Sequence, residues 1–383
     1  MTRFRAIAVL AGGSVTLVVV GLILALARPP VPGRPAPSPS PVIPEAPAQI
    51  VVPLAVADEL DLGPHQVVSM AVTTGVVWLA TQSPASGVTG RLFRINATTA
   101  RTTGSWAIGG DPVAVAAAGD FVWVANGSGG RELVPNPRGK APPDANTVQQ
   151  FNAGSGVLVH TYPLLDPRGL VANPTSVLVM SGTAGNGTVI SLLGGGARKA
   201  VTTLAGSMEV PISSLSTESA LAVCSDRVYL ALSNRVVTGS SVTIYSLPPD
   251  GGTAEEVAAI PDDYEASMAC DPTSVFLIGA AGDGETSVTR VSIAKGSVTN
   301  LWEGPYPVTV AFLSGRVWIS YSDDARNESV LTSLDPSTGI PGPTRSLLPP
   351  SPNIGFPNLV IPGDAGLWIA NSLGNTLLHV ATR

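Results

Sequence analysis

The sequence predicts an all-β chain: a seven-bladed β-propeller of four-stranded antiparallel blades, closed by an N-terminal strand and preceded by one transmembrane helix. Three observations predict it. The first is composition: 41 Gly and 35 Pro punctuate the 383 residues and only 13% are charged, which suits short strands and turns better than helices. The second is a repeat. An apolar pentapeptide recurs as VVWLA (76–80), FVWVA (121–125), SVLVM (176–180), RVYLA (227–231), SVFLI (274–278), RVWIS (316–320) and GLWIA (366–370). Its central residues, Trp78, Trp123, Leu178, Tyr229, Phe276, Trp318 and Trp368, are 45, 55, 51, 47, 42 and 50 residues apart. A period near 40–50 with several short strands in it is that of propeller blades. The third observation is at the ends, where one run lacks a partner and the last copy lacks a strand.

Residues 6–27 (AIAVLAGGSVTLVVVGLILALA) carry no charge over 22 positions. As a helix the run is ~33 Å long at 1.5 Å per residue, enough for the hydrocarbon core. Arg3 and Arg5 precede it and Arg28 and Arg34 follow it. We read residues 1–27 as a cytoplasmic N-terminus and signal-anchor helix, with the domain beyond it outside the cell membrane. Ala25-Leu26-Ala27 leaves open the alternative of secretion after cleavage near Ala27. Nine prolines in residues 28–48 make that stretch a polyproline-type linker.

Residues 49–383 are read as the propeller. In the second copy the strand-like runs are 113–118, 121–125, 147–152 and 157–162, with a tight Gly119-Asp120 turn between the first two. The run around Trp123 is apolar at consecutive positions, as expected of a strand buried on both faces. The seventh copy has runs at 358–361, 366–370 and 376–380 and then reaches Arg383. Residues 49–57 (QIVVPLAVA) are expected to supply its outermost strand, where Pro53 is acceptable on a free edge.

The D-P-x-x-V-A…V-W-V-A-N pattern of residues 111–126, echoed by 356–371, resembles the YVTN-type propeller repeats of bacterial surface and periplasmic proteins. It is also similar to the virginiamycin B lyase-like and NHL-like propellers. The resemblance implies the architecture. It implies no single activity, because these families mix enzymes, sensor domains and scaffolds.

Candidate functional residues follow from the repeat. Pro112, Pro167, Pro307 and Pro357 stand eleven positions before the central residue, preceded by Asp111, Asp166, Tyr306 and Phe356. With Arg168, Glu218 and Tyr264 they are expected to form a charged and aromatic rim at one mouth of the central channel. Such a rim suits a saccharide, peptide or small ligand, and the same residues also serve as turn starters. Residues 128–146 form the longest insertion, with Arg131, Arg138 and Lys140 as a basic contact cluster. Cys224 and Cys270 end the first strands of adjacent copies. They are either a disulfide between blades or two buried thiols. The three histidines, His65, His160 and His379, lie in different copies and none has a second histidine at ligand spacing. No catalytic residue, metal or cofactor is expected. After the four N-terminal arginines, 17 basic residues face 27 acidic ones, which argues against nucleic acid as a partner. The expected partners are the membrane, through residues 6–27, and a protein or cell-envelope component. The reading is a non-catalytic binding, sensing or scaffold domain. Its alternative is an exported enzyme of the lyase-like propeller group.

Overall fold

Apolar side chains at consecutive positions, flanked by turn residues, fold as strands covered on both faces. Val77, Trp78, Leu79 and Ala80 are all buried, as are Val122, Trp123, Val124 and Ala125. A computed structural model of the chain describes residues 56–63, 65–82, 89–127, 144–164, 167–172, 176–183, 186–193, 198–203, 221–224, 227–236, 239–248, 253–261, 267–280, 286–304, 307–323, 328–347, 358–364, 366–371 and 376–382. The chain divides into two units, Met1–Ala48 and Gln49–Arg383, and the described strands belong to the second.

These strands form seven antiparallel sheets of four. Blade one is Gln66–Thr73, Val76–Gln82, Arg91–Asn96 and Arg101–Ala107 (β2–β5). Blade two is Pro112–Ala118, Phe121–Asn126, Thr147–Asn152 and Leu158–Pro163 (β6–β9). Blade three is Pro167–Ala172, Ser176–Thr183, Asn186–Leu193 and Arg198–Thr203 (β10–β13). Blade four is Leu221–Cys224, Arg227–Val236, Gly239–Leu247 and Glu255–Pro261 (β14–β17). Blade five is Ser267–Cys270, Ser274–Ala280, Thr286–Ser292 and Val298–Gly304 (β18–β21). Blade six is Pro307–Leu313, Arg316–Asp323, Glu328–Leu334 and Pro341–Ser346 (β22–β25). Blade seven is Asn358–Gly363, Gly366–Asn371 and Thr376–Ala381 (β26–β28), with Val56–Asp61 (β1) on its outside.

Inner strands β2, β6, β10, β14, β18, β22 and β26 contact one another in turn, and β26 returns to β2, which closes the ring. The apolar side chains described gather between blades. Trp78 packs with Val115 and Val122 of blade two, Trp123 with Leu170 and Val177 of blade three, and Trp368 with Val77 and Leu79 of blade one. Each central residue therefore fills the gap to the next blade. Among the described residues the core falls into six clusters for the seven seams, because the seams on either side of blade four share one.

Two parts of the expected architecture are corrected. The closing strand described is Val56–Asp61, paired in register Glu59↔Leu378 and Leu60↔Leu377; of the expected 49–57 run it holds Val56 and Ala57, and residues 49–55 lie outside the described residues. The strand runs on past the apolar stretch to Asp61, over residues without an apolar pattern. The outermost strand of a blade is solvent-facing on one edge and accepts the polar VADELD. The second correction concerns the transmembrane helix of the predicted fold. Every regular element among the described residues is a strand, and no helix there is long and apolar enough to cross a membrane. Residues 6–27 lie outside the described residues.

Candidate functional site

The site is built where inner strands begin. Because the seven sheets repeat one topology, those starting ends and the exits of the second strands lie at one mouth of the ring. In blade two the arrangement is described from Ile108 to Gly127. The Asp111 carbonyl accepts a hydrogen bond from Gly127 N at 3.0 Å. The Pro112↔Asn126 pair starts the ladder, followed by a bulge before Ala114. Beneath this, Gln149 Oε1 accepts from Asn126 Nδ2 at 3.1 Å and from Gly109 N at 3.1 Å. Asn126 is fully buried, and a Cβ on Gly109 would lie 2.5 Å from its Cγ, so the glycine permits this close approach. Asn126 Oδ1 has no partner among the described residues. A buried acceptor of this kind requires a donor, from water, from a ligand or from residues outside the described ones.

Blade one shows what occupies the same place there. Val67 faces Thr81 as Pro112 faces Asn126, so Gln66 stands where blade two has Asp111. Gln82 Nε2 donates to Gln66 Oε1 at 3.4 Å, and Thr81 Oγ1 donates to the Arg91 carbonyl at 3.1 Å. Sequence reasoning missed Gln66 because it searched for the proline, which blade one lacks. Val67 stands eleven positions before Trp78, as Pro112 stands before Trp123, so the same count without the proline marks Gln66. His65 precedes Gln66 and meets the Phe93 ring edge-on at 5.4 Å. Burial, and then the Arg91 guanidinium, hold its imidazole below the ordinary value.

Of the other rim residues, Asp166, Glu218, Tyr264, Tyr306 and Phe356 lie outside the described residues, as do Arg131, Arg138 and Lys140. Arg168 is on β10, but its side chain is not described. Asp111 is half-buried at the start of β6. Cys224 and Cys270 are joined by a disulfide, Cα to Cα 5.9 Å, between the ends of β14 and β18. The histidines are apart in the fold. His65 leads into blade one, His160 lies on β9 with its ring 4.4 Å from that of Tyr162, and His379 on β28 stacks on Trp368 at 4.5 Å. Among the described residues no three metal-ligating side chains form a group.

The ring, its wedge-shaped seams and its rim define a β-propeller. Solved structures agree on that class. RRP9 WD40 repeats match with 13% identity over 87% of this chain and 99% of that one, at a TM-score of 0.56. The Cps50 (Swd1) β-propeller domain of Myceliophteria thermophila is 9% identical over 85% of this chain and all of that one, at 0.54. The PQQ-bound aldose sugar dehydrogenase of Streptomyces coelicolor is 14% identical over 86% of this chain and 97% of that one, at 0.51. No family model matches the chain, and no curated protein matches it. At these identities the likeness carries the fold alone.

Proposed function

We propose that this chain is an exported, non-catalytic propeller that presents the channel rim near Asp111 to a ligand or protein partner. One observation carries the reading. The seams between blades are apolar, whereas the lead-in to blade two holds Asp111 beside a buried amide network whose Asn126 Oδ1 has no partner among the described residues. Chemically distinct groups on a rigid frame are where recognition sits on such folds. The Cys224–Cys270 disulfide supports work outside the cytoplasm, where such bonds persist. The apolar segment 6–27 is the proposed export signal and membrane attachment. Fractionation of cells, with N-terminal sequencing of the mature chain, distinguishes retention from release near residue 27.

The solved relatives include an enzyme and WD40-type propellers, so fold does not choose between catalysis and binding. The lyase-like alternative needs histidine and acid groups converging on the channel. His65, His160 and His379 each pack on a different aromatic in blades one, two and seven, which favours binding. The test is photocrosslinking in cells from position 111, with position 131 on the long insertion as comparison. A discrete product from 111 that Asp111→Asn weakens supports the rim. Products from 131 alone move the contact to the insertion, and none from either position overturns the reading.

A further inference from the structure

Among the described residues the outer strand of each of the seven blades pairs on one side only, and six of the seven carry the residues that discourage strands from pairing edge to edge. β1 has Asp58, Glu59 and Asp61, β5 has Arg101, and β13 has Arg198 and Lys199. β17 has Glu255 and Glu256, β21 has Glu303, and β25 has Pro341, Pro343 and Arg345. β9 (LVHTYP) has no Asp, Glu, Lys or Arg, and its only proline is the last residue. It also holds three consecutive exposed apolar residues with its preceding turn: Val157 at 61%, Leu158 at 46% and Val159 at 48% exposure. A bulge opposite Gln150 and Phe151 leaves both Leu158 and Val159 on the outside. Exposed apolar runs of this length are absent from well-behaved surfaces unless they bind something.

We propose that β9 is where two copies of this chain join, edge to edge and antiparallel about a two-fold axis. Charge selects a second copy as the occupant. In a two-fold pairing each strand meets itself, so any charge near the axis meets its own sign. β9 alone among the outer strands has no Asp, Glu, Lys or Arg in any register. The remainder of the exported chain has ten more acidic than basic residues, so two copies repel one another elsewhere and approach most easily along this neutral strand. A six-residue edge buries less than the roughly 1,200 Å² of a stable interface, so the dimer is weak and depends on concentration at its site of work. The contact is independent of the rim around Asp111.

The chain has two cysteines and both are in the disulfide, so an introduced cysteine is the only free thiol. In cells expressing the full chain, Val159→Cys is expected to give a reducible dimer under mild oxidation. Val298→Cys, 43% exposed on β21, is expected to stay monomeric. Adding Leu158→Lys to Val159→Cys is expected to remove the dimer while the soluble yield and the native disulfide are retained. Absence of a dimer from position 159, or equal dimers from 159 and 298, overturns the proposal. So does a product that contains only another protein, which would assign the edge to that partner.

Discussion

Ser274 and Arg290 occupy exchanged positions. In blades four and six an arginine two places before the central aromatic donates through Nε to a serine on the third strand, Arg227 to Ser246 and Arg316 to Ser333. In blade five the serine comes first: Arg290 Nε donates to Ser274 Oγ at 2.8 Å. The bond is kept and its ends are swapped. Ser274 is fully buried and its hydroxyl also meets Thr273 Oγ1 at 3.3 Å, so Arg290→Ser removes the charge-assisted one of its two bonds and is expected to cost about 1–2 kcal/mol. Combining it with Ser274→Arg restores the arrangement of blades four and six and should recover more than half of that loss in a denaturant titration. A double variant no better than Arg290→Ser would show that the surroundings, not the pair, set the energy. His65 supplies a second residue-scale test. Its folded value lies below 6.5, so the unfolded chain takes up the proton first. Its contribution is complete above about 6.5 and is lost as pH falls through the window below. His65→Gln should flatten that part of the stability profile, and an unchanged slope between about pH 7.5 and 5 would refute it.

At the scale of elements a recurring device is the turn leaving the third strand, as in blades two and six. Asn152 Oδ1 accepts from Gly154 N at 3.1 Å and Ser155 N at 2.9 Å, and Asp335 Oδ1 accepts from Ser337 N and Thr338 N, both at 2.9 Å. The Ser337 hydroxyl, the Thr338 and Ser337 amides and the Thr338 hydroxyl pull the Asp335 carboxyl well below its usual range. These turns end on left-handed glycines, and Gly339 (φ +71°) is also pressed on the preceding blade. A Cβ there would sit 2.0 Å from the Leu301 carbonyl oxygen, whereas Gly63 (φ +64°) has open space. Gly63→Ala should therefore cost only the backbone strain, about 1 kcal/mol. Gly339→Ala adds a backbone clash and should cost about 2–4 kcal/mol. Equal midpoint shifts in thermal melts would remove the clash from the account. This layer also explains what was legible in the sequence. Strands and blades could be read because a seam repeats the same apolar residue types around Trp78, Trp123 and Trp368. The closing strand reaches Asp61 rather than ending at Ala57, and that extent was not legible because an outer strand need not be apolar, so DELD carried no signal of burial. Gln66 was overlooked because blade one has Val67 where blade two has Pro112, so the proline that marks the rim position is missing although the spacing to the central tryptophan is the same.

For the whole molecule the question is where a closed ring is weakest. Closure distributes load over seven seams, and a seam is only as extensive as the inner strands beside it. β14 and β18 are four residues long, while the other five inner strands have six to eight. The two seams beside β14, between blades three and four and between blades four and five, therefore have the least inner-strand contact in the ring, and the second of them carries the Cys224–Cys270 disulfide. The bond closes 46 residues of chain, and in the chain-entropy account that contributes up to about 4 kcal/mol. If it served only as a general restraint on the unfolded chain, its removal would lower global stability without preferring any blade. If it replaces missing strand contact, the loss has an address. Replacing both cysteines with serine should lower the denaturant midpoint. It should also raise amide hydrogen exchange first in β14–β21, at denaturant concentrations where blades one, two and seven remain protected. Exchange that rises evenly around all seven blades would leave the disulfide as a restraint on the unfolded chain and refute a role as the clasp of this seam.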